Sequence, residues 1–175
     1  MTSPDPVAEA EAYRQSLLAA LGADDPAEAQ AETPAILRAL VREAGTRLRR
    51  RPEPGEWSVI ECIGHLTDGE LVVAGRYRWI LAHDEPPILG YDQALWVDRL
   101  RHGEDDVERL LALFEVLRAA NLELWSRISP ADRARVGVHS ERGRESIDLT
   151  FRLAAGHDRV HLAEARRALE ATTRG

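Results

Sequence analysis

Lysine is absent: all 23 basic residues of the 175-residue chain are arginine. With the abundant alanine, this fits the codon bias of a GC-rich genome and points to no mechanism. A basic excess is lacking too. The formal net charge is −7, which argues against nucleic acid as the main partner, because phosphate contacts demand a basic surface. A lone cysteine, Cys62, excludes an internal disulfide. No apolar run approaches the ~20 residues needed to span a bilayer, so no membrane partner is expected. The opening residues, MTSPDPVAEA, have neither the basic start nor the apolar centre of a secretory signal, and a cytoplasmic location is expected. Internal repeats and low-complexity segments are missing. No stretch of alternating β-branched residues is long enough for a strand.

What remains is helix. Leucine- and alanine-rich segments separated by glycine and proline predict an all-α chain. A first helix is expected from about Val7 to Leu21, stopped by Gly22. A polar linker over residues 23–32 should follow. Thr33 and Pro34 then supply an N-cap and a first-turn proline for a second helix. Residues 1–32 are read as an N-terminal helix and linker, and residues 33–175 as a four-helix bundle domain. In the stretch EWSVIE, Ser58 and Glu61 have the spacing of a capping box for a long helix to about Ala82. Trp57 and Cys62 occupy the two positions of a hydrophobic staple, which gives the cysteine a structural role. A connection with a short helix leads to another long helix, Asp105 to Ile128. Asn121 interrupts its apolar seam and is expected to pair with a polar group. The last helix is expected over Ile147 to Ala171, capped by Ser146.

That helix carries AGHDRVH, two of the six histidines four positions apart. Arg152, Arg159 and Arg166 recur every seven residues and mark a solvent face. From Leu153, His157 and His161 lie at roughly 40° and 80°, on the opposite side. Both therefore point inward, either as hydrogen-bonded core residues or as a metal pair leaving one face a turn apart. Asp158 follows His157, so the HExxH signature is absent. A third ligand would come from another helix. Of His65, His83, His102 and His139, only His65 lies within a well-defined helix, and there it falls on a flank with Glu61 and Arg76, outside the stripe Val59, Ile63, Leu66, Val73 and Tyr77. Periodicity alone reads it as a surface residue. Glu70, in that stripe, is a buried carboxylate whose plain role is an ion pair with Arg78 or Arg118.

Taken in order, GEWSVIECIGHLTDGE, YDQALW and AGHDRVHLAEARRAL resemble the DinB/YfiT-like superfamily over about residues 33 to 170. The resemblance implies a DinB-like four-helix bundle with an additional N-terminal helix and a divalent metal, zinc or nickel, held by His65, His157 and His161. It implies a metal-dependent transferase joining a low-molecular-weight thiol, bacillithiol or mycothiol, to an electrophile, or alternatively a hydrolase of the YfiT type or a non-enzymatic metal-binding protein. It also implies pairing into a homodimer. Many relatives carry glutamine three residues after the last histidine, where this chain has Glu164. Glu164 faces the core at roughly 20° on the same scale, and is open to three roles: outer acceptor, fourth ligand or catalytic general base.

Overall fold

The computed structural model of the chain describes residues 10–173. Its first helix, α1 (Ala10–Leu21), ends at Gly22, whose φ of 62° is the left-handed conformation that glycine adopts without cost. Residues 7–9, where this helix was expected to begin, lie outside the described residues.

The second helix, α2 (Pro26–Ala44), starts seven residues before Thr33 and corrects the reading of residues 23–32 as a linker. Asp25 is the cap: its carboxylate accepts from the backbone N–H groups of Ala27 and Glu28 at 2.8 and 3.0 Å, and Pro26 occupies the first turn. Asp25-Pro26 and Thr33-Pro34 are both start signals of this kind, and the strongly helix-forming PAEAQAE between them lets the earlier one win. Position 33 thus falls inside α2. Pro34 sits within the helix and has no N–H to give the carbonyl of Gln30, four residues back. Arg118 fills that vacancy, donating from Nη1 to the Gln30 oxygen at 2.8 Å.

The third helix, α3 (Val59–Ala82), opens as expected. The backbone N–H and hydroxyl of Ser58 both donate to the Glu61 carboxylate, at 2.8 and 2.6 Å. A short helix, α4 (Gln93–Leu100), leads to α5 (Val107–Arg127), a single turn α6 (Pro130–Arg133), and the last helix α7 (Ile147–Ala171), where Ser146 accepts from Leu149 N–H at 3.0 Å. The helices α2, α3, α5 and α7 close a ring in which each packs on two neighbours, α7 on α2 and α3, and α5 on the same two. Their shared core holds Leu37, Leu40, Ile60, Ile63, Leu66, Phe114, Leu162 and Leu169. This is the expected four-helix bundle.

One feature was not legible. A small sheet runs in the order β1 (Pro87–Ile88), β2 (Val136–His139), β3 (Gly143–Ser146), β1 parallel and β3 antiparallel to β2. Strands of two and four residues are too short to show an alternation in sequence. At Gly137, a Cβ would stand 2.3 Å from the Ile88 side chain, so the missing side chain lets β2 seat against Ile88 and Ile80.

Helix α1 lies outside the ring, along α7. The approach is closest at Gly156, where a Cβ would stand 2.0 Å from the backbone oxygen of Leu17. A backbone atom cannot swing away, so Gly156→Ala is expected to push α1 off α7 and destabilise the protein by about 1–3 kcal/mol. Urea unfolding measures this. The arginine face of α7 is correspondingly less solvated than expected: Arg152 is exposed, but Arg159 pairs with Asp24 at 3.0 Å and Arg166 with Glu43.

The centre of the ring is polar. Arg118 of α5 is 2% exposed and donates to Glu70 of α3 and Asp158 of α7, both at 2.7 Å. Thr33 of α2 donates to Asp158 at 2.8 Å, and Asn121 to Glu70 at 2.8 Å. The partner of Glu70 is therefore Arg118, and Asn121 makes the polar pairing expected of it.

Candidate metal centre

His65 projects from α3, and His157 and His161 from consecutive turns of α7. Their Nε2 atoms meet: that of His65 lies 2.9 Å from that of His157 and 3.2 Å from that of His161. His65 and His161 are buried and His157 is half-buried. The flank on which periodicity placed His65 is no surface. Glu61, His65 and Arg76 are all buried, because α3 is packed by α7, α5, α2, α4 and β2 on nearly every side. An angular test that assumes one wet face fails on such a helix.

Glu164 sits at the outer edge of this group. Its carboxylate can only accept, so at 2.6 Å the Nδ1 of His161 carries the proton. In the neutral ring this leaves a bare lone pair on Nε2, facing the other two histidines, which is the form that binds a metal. Burial pushes the Glu164 carboxyl up, but the hydrogen bond from His161 and the nearby charge of Arg167 hold it below the usual range. Burial pushes His65 well below the ordinary imidazole value, and the neighbouring His161 and His157 push it the same way. Burial, then His161 and Arg118, do so for His157. Zinc ligands at ~2.0–2.1 Å in a tetrahedron stand about 3.3 Å from one another, close to the separations found. The donor set and its spacing fit a divalent ion. Unlike His161, His65 has no hydrogen-bond partner for its buried Nδ1 among the described residues.

Trp57 stacks on His161, ring centroids 5.9 Å apart and planes at 29°, and lies 5.1 Å from His65. It packs on the core cluster that contains Cys62, as a staple should, and the same ring roofs the histidines. Nothing in its spacing marked that second contact. The remaining histidines are placed elsewhere. His102 donates to Asp68 at 2.8 Å and faces Asp105 at 2.6 Å, and these carboxylates, Asp68 foremost, raise its pKa. It clamps the turn after α4 onto α3 at Gly64, where a Cβ would stand 2.3 Å from the ring. His83 lies beside the Trp79 carbonyl. His139, on β2, is pushed down to about 4 by burial and by Arg142 and Arg76.

A cleft opens beside His157, between α3, α7, α1 and the sheet. Gly69 keeps it clear: a Cβ there would lie 3.4 Å from the His157 ring and 3.8 Å from the Tyr91 hydroxyl. Tyr13 and Leu17 of α1 form part of the wall.

The DinB superfamily profile matches residues 27–165. The chain belongs to the DinB superfamily. Among relatives, a protein of Oceanobacillus iheyensis, provisionally named a metal-dependent hydrolase, is 30% identical over 109 residues, 62% of this chain and 63% of that protein. The match thus spans less than two thirds of that relative's length. One of Geobacillus thermodenitrificans, named in the same way, is 26% identical over 136 residues, 76% of each chain. YfiT from Bacillus subtilis, described as a probable metal-dependent hydrolase with an unusual four-helix bundle topology, superposes with a TM-score of 0.74 at 20% identity, covering 94% of this chain and 88% of YfiT. The likeness in fold therefore extends over almost the whole chain. Metal dependence in the names of these relatives and the three-histidine group together support a divalent ion. Among the described residues no helix is long and apolar enough to cross a membrane.

Proposed function

We propose that the protein is a metal-dependent hydrolase of a small molecule bound in the cleft, its ion held by His65, His157 and His161. The observation that carries this reading is the convergence of three Nε2 atoms beside a cleft that His157 lines, with the Glu164 contact fixing the tautomer of His161. Three imidazoles suit zinc or nickel and leave coordination positions open. Such an ion, when bound, supplies Lewis acidity: it polarises a carbonyl and makes a coordinated water or thiol acidic near neutral pH.

The chain supplies the rest. Glu164 orients His161 and strengthens it as a donor, which is the role of the three that its position favours, since its Oε2 faces the ring edge away from the other histidines. Trp57 shields the rings from bulk water, and the apolar walls Leu17, Leu66, Val73 and Leu153 seat the body of a substrate.

A second reading is transfer of a low-molecular-weight thiol to an electrophile, with Cys62 excluded as the attacking group. That cysteine is 1% exposed in the core, and burial pushes its thiol up, so it is no nucleophile. A transferase would have to import its thiol, as bacillithiol or mycothiol. The test is one assay series on zinc- and nickel-loaded protein: a panel of esters and amides, then electrophiles with either thiol added. Hydrolysis lost on chelation and restored by metal is the expected result. Conjugation without hydrolysis would favour transfer, and no turnover in either series would overturn both readings.

A further inference from the structure

Arg76 is 7% exposed and lines the cleft, yet among the described residues no carboxylate lies within 4.0 Å of its guanidinium nitrogens. Its Nη2 donates to the Leu89 carbonyl at 2.9 Å and lies 3.3 Å from His139 Nε2. Its Nε is buried with no hydrogen-bond partner among the described residues. The other arginine buried among the described residues, Arg118, is neutralised by Glu70 and Asp158, and the half-buried Arg142, on the same wall, by Glu145. Glu141 also lines the cleft, but its carboxylate lies against Gly90. A buried charge without a counter-ion is costly unless one arrives.

Two neutral donors stand in the same cleft. The hydroxyls of Tyr13 and Tyr91 make no hydrogen bond among the described residues, and burial raises both pKa values, which keeps the protons on. Arg76 lies seven residues along α3 from Gly69, the residue against His157, or about 10 Å of helix. We propose that Arg76 anchors the carboxylate of the substrate, so that the protein acts on carboxylate-bearing small molecules whose reacting bond lies several bonds from the acid group. This deepens the hydrolase reading and rests on it only for what the anchored molecule is presented to. The guanidinium and the phenols together form the planar, multi-donor recognition that a carboxylate takes, and the apolar walls between Arg76 and His157 accept the carbon chain.

The probe is 3-phenylpropionate against its uncharged amide, titrated into the full-length, metal-free protein and read by calorimetry or protein-observed NMR. Preference for the acid by about 10-fold or more is expected, the range of a charge-assisted hydrogen bond, and Arg76→Gln should bring the acid down to the level of the amide. Equal binding of acid and amide by the unaltered protein would overturn the proposal, whether or not the variant folds. So would an undiminished preference in folded Arg76→Gln. Because no metal is present, the anchor is judged separately from the metal reading: a chain that prefers the acid but takes up no zinc keeps the anchor and loses the hydrolase.

Discussion

Removing the imidazole of His161 is expected to lower zinc affinity by at least about 100-fold, beyond the ~10–100-fold typical of losing an outer hydrogen-bond partner. The same loss is expected for His157→Ala and His65→Ala, because two imidazoles make a poor site and water takes the freed position. Glu164→Ala should fall in the smaller range. His83→Ala, His102→Ala and His139→Ala should leave affinity unchanged, since their rings are engaged elsewhere. Isothermal titration with zinc and nickel, with circular dichroism to confirm folding, measures all seven. Unchanged affinity in folded His65→Ala would remove that residue and leave Glu164 to be tested as the third ligand.

The pH dependence has a definite sign. His65 and His157 are held well below the ordinary imidazole pKa of ~6.5 by burial first and then by neighbouring histidines and, for His157, arginines. Protons therefore compete poorly for their lone pairs, and affinity should be less sensitive to acid than at a site of ordinary imidazoles, with these two residues losing metal only as pH falls well below ~6.5. In the metal-free protein the unfolded state takes up protons at these positions that the folded state refuses. Their contribution to stability is complete above ~6.5 and is lost as pH falls from there toward the depressed folded values.

Arg118→Met is expected to cost the fold about 3–5 kcal/mol, because it leaves Glu70 and Asp158 buried without their counter-charge and the Gln30 carbonyl without a donor. Adding Glu70→Gln and Asp158→Asn should recover part of the loss, since neutral amides need no cation. Urea unfolding of the single and triple variants reports both. A triple variant less stable than the single one would show that the arginine matters through its packing on Phe114, 4.7 Å from the ring centroid, and not as a counter-charge.

Reading the sequence succeeded where one residue's local chemistry decides. Ser58 with Glu61, and Ser146, capped the helices expected of them, and the inward pair on α7 followed from the arginine row opposite. It failed where a partner distant in sequence decides. Pro34 looks like a helix start because its missing N–H is harmless there, and only Arg118, 84 residues on, lets it lie mid-helix. His65 looks like a surface residue until α7 is laid over it, and family resemblance, not periodicity, named it. Arg76 shared its flank and was passed over. A buried arginine on a helix otherwise wrapped in apolar contacts is a signal only once the absence of its counter-ion is visible.

On the proposed ligand set, two of the three nitrogens belong to one rigid rod. The spacing of His157 and His161 is set by a single turn of α7, and no rearrangement of the bundle changes it appreciably. Only the reach to His65 is adjustable, and it follows the spacing of α3 and α7, whose Ile63 and Leu66, and Leu162 and Ala165, belong to one core. Choice among ions of different radius thus reduces to one caliper, whose jaws are opened or closed by side-chain volume at a seam that supplies no donor atom. Enlarging Ala165 or trimming Leu66 would retune which cation fits while every donor atom stayed the same.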